Sequence, residues 1–432
     1  MRFDDAVQYL LSLGHETLAI KLGLSNTERL LEALGRPQSS FPAVQIAGTN
    51  GKGSTAVMLD SICRMAAIRT GLYTSPHLVS ITERIRIDGR EIAREEFARL
   101  TAHVRGVAER LGERGVLSSL PTFFEHVTAI ALAAFKEARV ELAILETGLG
   151  GRLDSTTVAG AETIAITPIA LDHQEYLGNT LAEIAAEKAA IIRPGVTAII
   201  APQLAEALEV ILKRCAECGV VPRVADGRIE IKGAADAREP LCVTFETERD
   251  RYEDVRLSLR GRHQTVNASV AILLAEALRE RGFHISRADI KRGLESASHA
   301  GRLELREGRP AMLFDGAHNA ASASALKLYL DEFVHAPVTI LFGAMRDKDL
   351  AEMAATLFPS AHRLILTQLE NPRAATAETL ARFVPPYIDR DRITLTTSPA
   401  EALHVAREQT PAEGIICVTG SLYLVGEVMK LA

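Results

Sequence analysis

The sequence predicts an α/β protein of two domains, each built on a mostly parallel sheet, with a small antiparallel appendage. From about residue 43 to 200, short apolar runs alternate with helical stretches, which is typical of parallel strands covered by helices. Between about 220 and 260, short β runs follow one another without intervening helices. A second alternation of strands and helices begins near residue 300, so we expect a second, Rossmann-like α/β domain.

Composition limits the class of protein. The length of 432 residues suits two or three domains, and a net charge of −6 with no tryptophan argues against a nucleic-acid partner. No apolar run approaches the ~18 residues of a transmembrane helix, and the acidic N-terminus does not resemble a signal peptide. The five cysteines are scattered and odd in number, so we expect free thiols in a cytoplasmic protein that does not bind membranes.

The elements of the first domain follow from apolar patterning. Thr122 and Glu125 form a capping box at the start of a helix. The predicted strands span residues 43–46, 142–145, 163–166 and 198–201. The predicted helices span residues 54–63, 122–138 and 181–192, with a further one ending near 218. The appendage comprises β runs at 220–224, 228–232, 241–245 and 255–259, and a helix over 266–281 follows.

The second domain has five apolar runs of strand length, with helices between them. They span residues 311–314, 338–342, 363–366, 393–395 and 414–418. The segment 296–301 is rich in small residues, which suits a joint between domains. We therefore predict domains over residues 1–297 and 298–432.

A glycine-rich turn, Gly-Thr-Asn-Gly-Lys-Gly-Ser at 48–54, joins the first predicted strand to the first predicted helix of that domain. Small residues allow backbone N–H groups to approach anionic oxygens, and a helix N-terminus adds a positive dipole. Lys52 would contact the β- and γ-phosphates, and the Ser54 hydroxyl would hold Mg²⁺. The turn therefore predicts binding of a nucleoside triphosphate.

The match to the standard phosphate-binding loop is imperfect. That pattern requires glycine five residues before the glycine of Gly-Lys, and serine or threonine directly after the lysine. Here Ile46 holds the first position and Gly53 separates Lys52 from Ser54. A glycine-rich turn without a ligand is the alternative interpretation.

Polar clusters follow three of the predicted strands, where ligands of open α/β sheets bind. They span residues 146–154, 167–173 and 315–319. Glu146 stands where a magnesium-binding carboxylate is expected. Taken alone, His173 is more typical of a loop histidine, Lys188 of a solvated helical lysine, and Phe123 and Phe124 could be core.

Together these segments resemble the folylpolyglutamate synthase/dihydrofolate synthase family of the Mur-ligase superfamily. The family's phosphate loop also has glycine between lysine and serine, which removes the misfit at Gly53. The resemblance covers nearly the whole chain, in the family's order, at residues 48–54, 74–78, 83–85, 122–125, 146–154, 171–173, 187–188, 261–267, 301–304, 315–319 and 420–425.

The resemblance implies an ATP-dependent amide ligase. In this family a carboxylate attacks the γ-phosphate of ATP, and the amine of L-glutamate then attacks the resulting acyl phosphate. The acceptor would be dihydropteroate, a folate, or both in a bifunctional enzyme. The cofactors implied are ATP and two Mg²⁺ ions, and the sequence leaves open a requirement for a monovalent cation. We expect a monomer with small-molecule partners only.

The resemblance also assigns residues to roles. The catalytic residues are Lys52, Lys188, His173, Asp315 and His318. The ATP-binding residues are Thr49, Asn50, Gly51, Lys52, Gly53, Ser54, Thr55, Asn267, Arg302 and Asp315. The metal ligands are Ser54, Glu146, His173 and Lys188, the last as a carbamate. The substrate residues are Ser75, Pro76, His77, Phe123, Phe124, Arg152, Asp154, His318, Ser421 and Tyr423.

One residue departs from the family, and two other functions compete. The family places asparagine where this chain has Thr157, so any contact made by that amide is in doubt. A ligase acting on a cell-wall precursor would carry a separate N-terminal domain, for which little room precedes residue 48. A regulatory ATPase would not need Lys188 or the cluster from Asp315 to His318.

Overall fold

The structure is a computed structural model and describes residues 1–14, 23–233 and 236–432. Its contacts divide the chain into two compact units. Unit 1 comprises Met1–Ile169, Glu175–Asp226 and Asn267–Gly293. Unit 2 comprises Ala170–Gln174, Gly227–Val266 and Leu294–Ala432. The domain boundary between residues 297 and 298 stays a prediction.

Helices and strands alternate through both units. The strands are β1 (Ala43–Ala47), β2 (Thr70–Tyr73), β3 (Ile85–Ile87), β4 (Arg90–Glu91), β5 (Leu142–Glu146), β6 (Thr163–Ile166), β7 (Thr197–Ile200), β8 (Arg223–Val224), β9 (Ile229–Ile231), β10 (Leu241–Glu246), β11 (Arg251–Leu257), β12 (Glu304–Arg306), β13 (Ala311–Phe314), β14 (Val338–Phe342), β15 (Arg363–Thr367), β16 (Ile393–Thr396) and β17 (Ile415–Thr419). The helices are α1 (Phe3–Ser12), α2 (Ser25–Ala33), α3 (Lys52–Met65), α4 (Arg94–Glu113), α5 (Phe123–Glu137), α6 (Gln174–Leu177), α7 (Leu181–Ala189), α8 (Ala205–Glu217), α9 (His263–Glu280), α10 (Arg287–Ser296), α11 (Ala320–Phe333), α12 (Leu350–Leu357), α13 (Ala377–Ala381), α14 (Pro399–Gln409) and α15 (Leu422–Leu431).

Unit 1 holds an eight-stranded sheet in the order β4-β3-β2-β5-β1-β6-β7-β8. Six of these strands are mutually parallel, as predicted: β2, β5, β1, β6, β7 and β8. The hairpin β3–β4 extends the sheet at the β2 edge with antiparallel pairing. The prediction that the run 220–224 belongs to the antiparallel appendage is wrong. Only β8 of that run pairs, and it is parallel to β7, because helix α8 returns the chain to the same edge and Pro222 has no N–H to donate.

Two helices of unit 1 test the predicted helix ends. The capping box of α5 is confirmed, because the Glu125 N–H donates to Thr122 Oγ1 at 3.3 Å and the Thr122 N–H donates to Glu125 Oε2 at 2.7 Å. Helix α7 ends at Ala189 and not at residue 192 as predicted. The Ile192 N–H there bonds the Ala189 carbonyl in a tighter turn, since Pro194 prevents the helix from continuing.

Unit 2 contains two sheets. Strands β9, β10 and β11 form the predicted small antiparallel sheet. The second sheet has the order β12-β13-β17-β14-β15-β16. Its five strands β13, β17, β14, β15 and β16 are parallel. The prediction of a wholly parallel second sheet missed β12, which is antiparallel to β13.

Replacing Gly293 by alanine is expected to destabilise the protein by about 3 kcal/mol. Gly293 lies in α10, and a Cβ there would stand 2.4 Å from the Cα of Ile62 and 2.6 Å from its backbone nitrogen. Backbone atoms of a buried helix cannot move aside cheaply. Denaturant unfolding monitored by circular dichroism measures the change.

A second helical glycine of unit 1 serves as the control. At Gly106, within α4, a Cβ would meet only the Arg110 Nη1 atom, at 3.3 Å, and this flexible side chain can move. Gly106→Ala should therefore leave stability equal or raise it by up to ~1 kcal/mol, since alanine favours helices. Equal midpoints for both variants would contradict the packing described for α10.

Candidate active site

The carboxyl ends of four neighbouring parallel strands form one edge of the sheet in unit 1. In sheet order these strands are β2, β5, β1 and β6. Strand β1 leads into the loop 48–51, β5 ends at Glu146, and β2 is followed by Ser75. Strands β2 and β5 lie on one side of β1 and strand β6 lies on the other side, so the strand order reverses at β1. Ligands of open α/β sheets bind at such a point.

The glycine-rich turn ends in helix α3, which begins at Lys52 and not at residue 54 as predicted. The N–H groups of Thr49 and Asn50 both donate to the Pro168 carbonyl at 3.1 Å, so these two donors face the protein. The N–H groups of Lys52, Gly53 and Ser54 lie in the first turn of α3, where no carbonyl of the same helix accepts them. The N-cap residue of this turn is Gly51, which has no side chain to cap it. The start of α3 is therefore the candidate source of anion-binding donors.

Two glycines allow the turn to pack closely on its surroundings. Gly51 has a φ of +88°, and a Cβ there would lie 2.2 Å from Asn267 Oδ1. Gly48 has a φ of +142°, and its Cβ would lie 1.9 Å from Thr167 Oγ1. The positive φ values and the lack of space both require glycine. The structure thereby brings together Gly51 and Asn267, two of the residues predicted to bind ATP.

The side chains at the start of α3 supply the polar atoms expected of a phosphate site. Lys52 Nζ donates to the Thr49 carbonyl at 3.1 Å, so the ammonium group lies over the turn. Ser54 and Thr55 are buried. Thr55 Oγ1 has no hydrogen-bond partner among the described residues. A buried polar atom at this position fits a loop that receives a polar ligand.

Lys188 lies in the last turn of α7 and is only 4% exposed. Its ammonium nitrogen donates to the Gly48 carbonyl at 2.8 Å. The interpretation of Lys188 as a solvated helical lysine is therefore wrong. Burying a lysine costs free energy unless hydrogen bonds compensate it, and a buried titratable group beside a glycine-rich turn is a candidate for a functional role.

Glu146 and the segment from Ser75 to His77 meet at the same edge. Glu146 is buried, and its Oε2 accepts the Ser75 N–H at 3.0 Å. Arg84, a fully buried residue, donates from Nε to His77 Nδ1 at 2.8 Å, and its guanidinium lies 5.4 Å from the centre of the Phe123 ring. The predicted metal ligand Glu146 therefore lies directly against the predicted substrate loop, which also contains Pro76.

The two phenylalanines at the start of α5 differ. Phe123 is buried in the core of unit 1. Phe124 is half-buried and lies so close to Gly148 that a Cβ there would stand 2.5 Å from its ring. Its ring centre is 5.9 Å from that of Tyr73, the last residue of β2. Phe124 is thus the one of the pair at the site edge.

Asp154 holds the glycine-rich segment after β5 in place. Its Oδ2 accepts the N–H groups of Gly148 and Leu149 at 2.9 and 3.0 Å, and its Oδ1 accepts that of Thr156 at 2.9 Å. Burial raises the pKa of this carboxyl, against these hydrogen bonds, which lower it. These contacts fall within its own segment, and the substrate role of Asp154 stays a prediction.

Arg152 and Thr157 make further side-chain hydrogen bonds in the segment after β5. Arg152 Nε donates to Glu187 Oε1 at 2.9 Å, next to Lys188. The Thr157 hydroxyl donates to the Gly151 carbonyl at 2.8 Å and accepts the Gln45 amide at 2.9 Å. The hydroxyl of this unusual residue therefore both donates and accepts within the segment, so threonine supports the loop in this chain.

In unit 2, Asp315 follows β13 and is buried. Its Oδ2 accepts the Leu303 N–H and its Oδ1 accepts the Ala317 N–H, both at 3.0 Å. Burial raises the pKa of the Asp315 carboxyl, while the neighbouring Arg302 guanidinium and these hydrogen bonds oppose the rise. Arg302 Nη1 also donates to the Gly316 carbonyl at 3.4 Å. The predicted residues Arg302 and Asp315 are thus neighbours.

Asp172 is the centre of a polar cluster in unit 2 that the sequence did not predict. Its Oδ1 lies 2.6 Å from Lys348 Nζ and accepts the His173 N–H at 2.9 Å. Its Oδ2 lies 3.4 Å from His318 Nε2 and accepts the Asn319 amide at 3.1 Å. Burial alone would raise the pKa of Asp172, but the hydrogen bond from His318 and the charges of His173, His318 and Lys348 hold it well below its usual range.

Ser421 and Tyr423, the last two of the predicted substrate residues, follow strand β17, which lies next to β13 in the sheet. Ser421 is buried, and its hydroxyl accepts the Tyr423 N–H at 3.2 Å at the start of α15. The preceding Gly420 N–H donates to the Ala317 carbonyl at 3.1 Å. Ser421 and the Asp315–His318 segment are therefore neighbouring loops of unit 2.

His263, at the start of α9, is expected to weaken the fold in acid. Burial, followed by the charge of Arg302, lowers its pKa to about 4. In the unfolded chain this histidine has an ordinary pKa of ~6.5 and binds a proton below that pH. The folded state does not bind the proton until the pH falls to about 4. The free energy of unfolding therefore decreases as the pH falls from ~6.5 to about 4. The loss should reach about 2–3 kcal/mol.

Urea unfolding of the wild type and of His263→Gln at pH 7.5 and 4.5 measures this effect. The variant should lose less stability than the wild type between the two pH values, because glutamine does not titrate. His404→Gln, at an exposed histidine of α14, should behave as the wild type does. An identical acid loss for His263→Gln and the wild type would contradict the assignment.

The donor atoms of the site suit a hard cation. Ser54 and Glu146 offer oxygen atoms at one sheet edge, which Mg²⁺ prefers. Among the described residues, no three His, Cys, Asp or Glu side chains form a group that could hold a metal ion. The predicted ligand set differs from such a group because it includes a hydroxyl and a modified lysine.

Two sequence expectations on the chain as a whole can be compared with the structure. All five cysteines lie in the described part of the chain and none forms a disulfide, as predicted. Across residues 1–14, 23–233 and 236–432, no helix is both long and apolar enough to cross a membrane.

Two family models match the chain. Residues 46–275 match the Mur ligase middle domain, and residues 302–431 match the C-terminal domain of dihydrofolate synthetase. The two matches together cover most of both units.

Curated relatives match along the whole chain. A probable bifunctional folylpolyglutamate synthase/dihydropteroate synthase of Haloferax volcanii is 36% identical over 99% of this chain, which spans only 50% of that protein. The dihydrofolate synthase/folylpolyglutamate synthase of Bacillus subtilis is 35% identical, over 96% of both chains.

Solved structures have the same fold. Mycobacterium tuberculosis folylpolyglutamate synthase complexed with ADP has a TM-score of 0.92 at 31% identity, covering 99% of this chain and 98% of that one. E. coli FolC in complex with DHPP and ADP has a TM-score of 0.87 at 31% identity, covering 100% and 97%. The Yersinia pestis bifunctional enzyme with AMPPNP and a Mn ion has a TM-score of 0.85 at 28% identity, covering 100% and 98%.

Proposed function

Because the chain belongs to the folylpolyglutamate synthase/dihydrofolate synthase family of Mur ligases, we propose that it joins L-glutamate both to dihydropteroate and to the γ-carboxylate of a folate. It is an ATP-dependent ligase that uses a divalent metal ion, as its relatives of known structure indicate. One observation carries the choice of site. The phosphate-binding turn, the carboxylate of Glu146 and the Ser75 loop share one sheet edge, with the Ser75 N–H bonded to Glu146 at 3.0 Å.

The reaction takes place in two steps. A carboxylate oxygen of the acceptor attacks the γ-phosphorus of ATP, the bond to the β-phosphate oxygen breaks, and ADP leaves. The amine nitrogen of L-glutamate then attacks the carbonyl carbon of the acyl phosphate, inorganic phosphate leaves, and the nitrogen loses its extra proton. The chain's task is to position the groups and to neutralise the charge that develops on the transferred oxygens.

Unit 1 supplies the phosphate grip. The N–H groups at the start of α3 and the Lys52 ammonium would bind the β- and γ-phosphate oxygens. Ser54 and Glu146 would hold Mg²⁺, which neutralises phosphate charge when bound. Thr55, with its buried hydroxyl, and Asn267, against Gly51, complete the nucleotide side of this unit.

Lys188 is proposed to carry a carbamate. The ammonium group first loses a proton, and the amine nitrogen then adds to carbon dioxide and releases a second proton. This converts a cation into an anionic oxygen ligand suited to a second Mg²⁺. The burial of Lys188 and its position 2.8 Å from the Gly48 carbonyl support this role. The family resemblance predicts His173 as a further ligand, and this role stays a prediction.

Unit 2 is proposed to receive glutamate. His318, Ser421 and Tyr423 lie on loops after neighbouring strands β13 and β17, and Arg302 and Asp315 lie beside them. We further propose that the protein acts as a monomer in the cytoplasm, and light scattering after gel filtration tests the first of these.

A side-by-side assay tests the proposed function. Purified protein with ATP, Mg²⁺ and L-glutamate should release phosphate with dihydropteroate and with tetrahydrofolate, and only when both the acceptor and glutamate are present. Turnover with one acceptor alone would reduce the proposal to a single activity. Phosphate release without either organic substrate would favour a regulatory ATPase.

A further inference from the structure

Asp172 is a buried carboxylate that contacts two side chains of unit 2 that are far from it along the sequence, those of His318 and Lys348. Lys348 follows β14 and His318 follows β13, and the two strands flank β17. The side chain of Lys348 is 10% exposed and that of Asp172 is 6% exposed. At 2.6 Å, their contact is a buried ion pair, and such a pair fixes geometry more than it adds stability.

His318 is held from both ring nitrogens. Its Nδ1 lies 2.8 Å from the Gly316 carbonyl oxygen, and its Nε2 lies 3.4 Å from Asp172 Oδ2. Both partners are acceptors, and each ring nitrogen faces one of them. This fixes the plane of the ring, while a quarter of the side chain stays exposed.

Two further donors complete the contacts of the Asp172 carboxylate. Asn319 donates its amide to Asp172 Oδ2 at 3.1 Å, while its own Oδ1 accepts the Ser322 N–H at 2.9 Å and caps helix α11. The His173 N–H donates to Oδ1 at 2.9 Å. Each carboxylate oxygen therefore has two partners, and none of the four can move without losing a contact to the same group.

We propose that Asp172 is a positioning residue for the amine step, because its carboxylate holds His318 in place beside the loops proposed to receive L-glutamate and anchors Lys348 on the loop after β14. This inference rests on the proposed role of His318 toward glutamate. Asp172 itself acts through these two side chains and not on the substrate. Without its charge, Lys348 would leave the buried position for solvent, and the His318 ring would lose one of its two fixed contacts.

Asp172→Asn tests the proposal, because asparagine keeps the shape and removes the charge. We expect the KM for L-glutamate to rise about tenfold or more, with the KM for ATP unchanged within twofold. The matched control is Asp331→Asn, which removes an exposed carboxylate paired with Lys327 in the same unit and should change neither constant. A wild-type KM for glutamate in Asp172→Asn would overturn the proposal, as would an equal rise in the KM for ATP.

A second amine separates positioning from general damage. Hydroxylamine has no carboxylate, and it attacks an acyl phosphate to give a hydroxamate and phosphate. Asp172→Asn should keep most hydroxylamine-dependent phosphate release while it loses glutamate-dependent release, whereas a variant that is merely misfolded would lose both equally. Equal loss of both rates would therefore contradict the proposal.

Two further variants keep the test decisive. Asp172→Glu keeps the charge and should give an intermediate KM for glutamate, which also covers the case that asparagine prevents folding. Lys348→Met alone and combined with Asp172→Asn should show non-additive effects if both act through one contact. A wild type without glutamate-dependent turnover would contradict the proposed function, while a normal wild type with a normal Asp172→Asn would contradict this inference alone.

Discussion

Lys52→Ala is expected to lower ATP turnover about 1000-fold, in line with the loss of a preorganised charge that stabilises transferring oxygens. The ammonium group lies over the turn, 3.1 Å from the Thr49 carbonyl, at the start of α3, where the helix N–H groups face the same region. Without it, negative charge on the γ-phosphate is neutralised only by the remaining donors and the metal ion. Phosphate release with saturating acceptor and glutamate measures the effect.

Lys136→Ala is the matched control for Lys52. Lys136 is also a lysine of unit 1 that donates to a backbone carbonyl, that of Gly35, at 3.0 Å. It lies at the end of α5, away from the turn, so its loss should leave turnover within about twofold. A Lys52→Ala variant that keeps its rate would show that the turn does not grip the transferred phosphate.

Lys188→Ala should also abolish activity, because it removes both the contact to the Gly48 carbonyl and the nitrogen on which the proposed carbamate would form. Loss of a buried partner for that carbonyl adds a destabilisation of about 1–3 kcal/mol. Lys188→Met keeps most of the volume and should be equally inactive with a smaller loss of stability. Turnover and denaturant midpoints of the two variants separate the two effects.

Carbon dioxide provides the direct test of the carbamate. Wild-type protein kept in buffer depleted of carbon dioxide should lose activity and regain it when bicarbonate is added. Lys213→Ala, at an exposed lysine of α8, should respond as the wild type does. Wild-type-like rates in Lys188→Ala would rule out the metal role, and activity that never depends on bicarbonate would mean that the amine acts unmodified.

Local patterns predicted the elements well because their causes are local. The capping box of α5 needs only Thr122 and Glu125, three residues apart. The turn at Gly48 and Gly51 needs only residues without a Cβ. Pairing is different, because strand β8 contains only two residues and its parallel partner was decided by the crossover through α8. The edge strand β12 was missed for the same reason.

The candidate site was predicted in part. Glu146 and the 48–54 turn followed from strand ends and a glycine-rich motif, and the structure places both at one edge of the sheet. Spacing alone favoured a solvated Lys188, and only the family resemblance pointed to the site. Asp172 lies inside segment 171–173 of the family resemblance, which assigned it no role. Lys348, 176 residues away along the chain, belongs to no motif.

The glycine-rich turn, the alternation of strands and helices, and the family could all be read from residues that are adjacent or regularly spaced. The burial of Lys188 against the Gly48 carbonyl and the contacts of Asp172 with His318 and Lys348 became visible only in the folded chain. Burial and charge pairing depend on which distant segments meet at a sheet edge. The order of strands sets that meeting, and no local pattern encodes it.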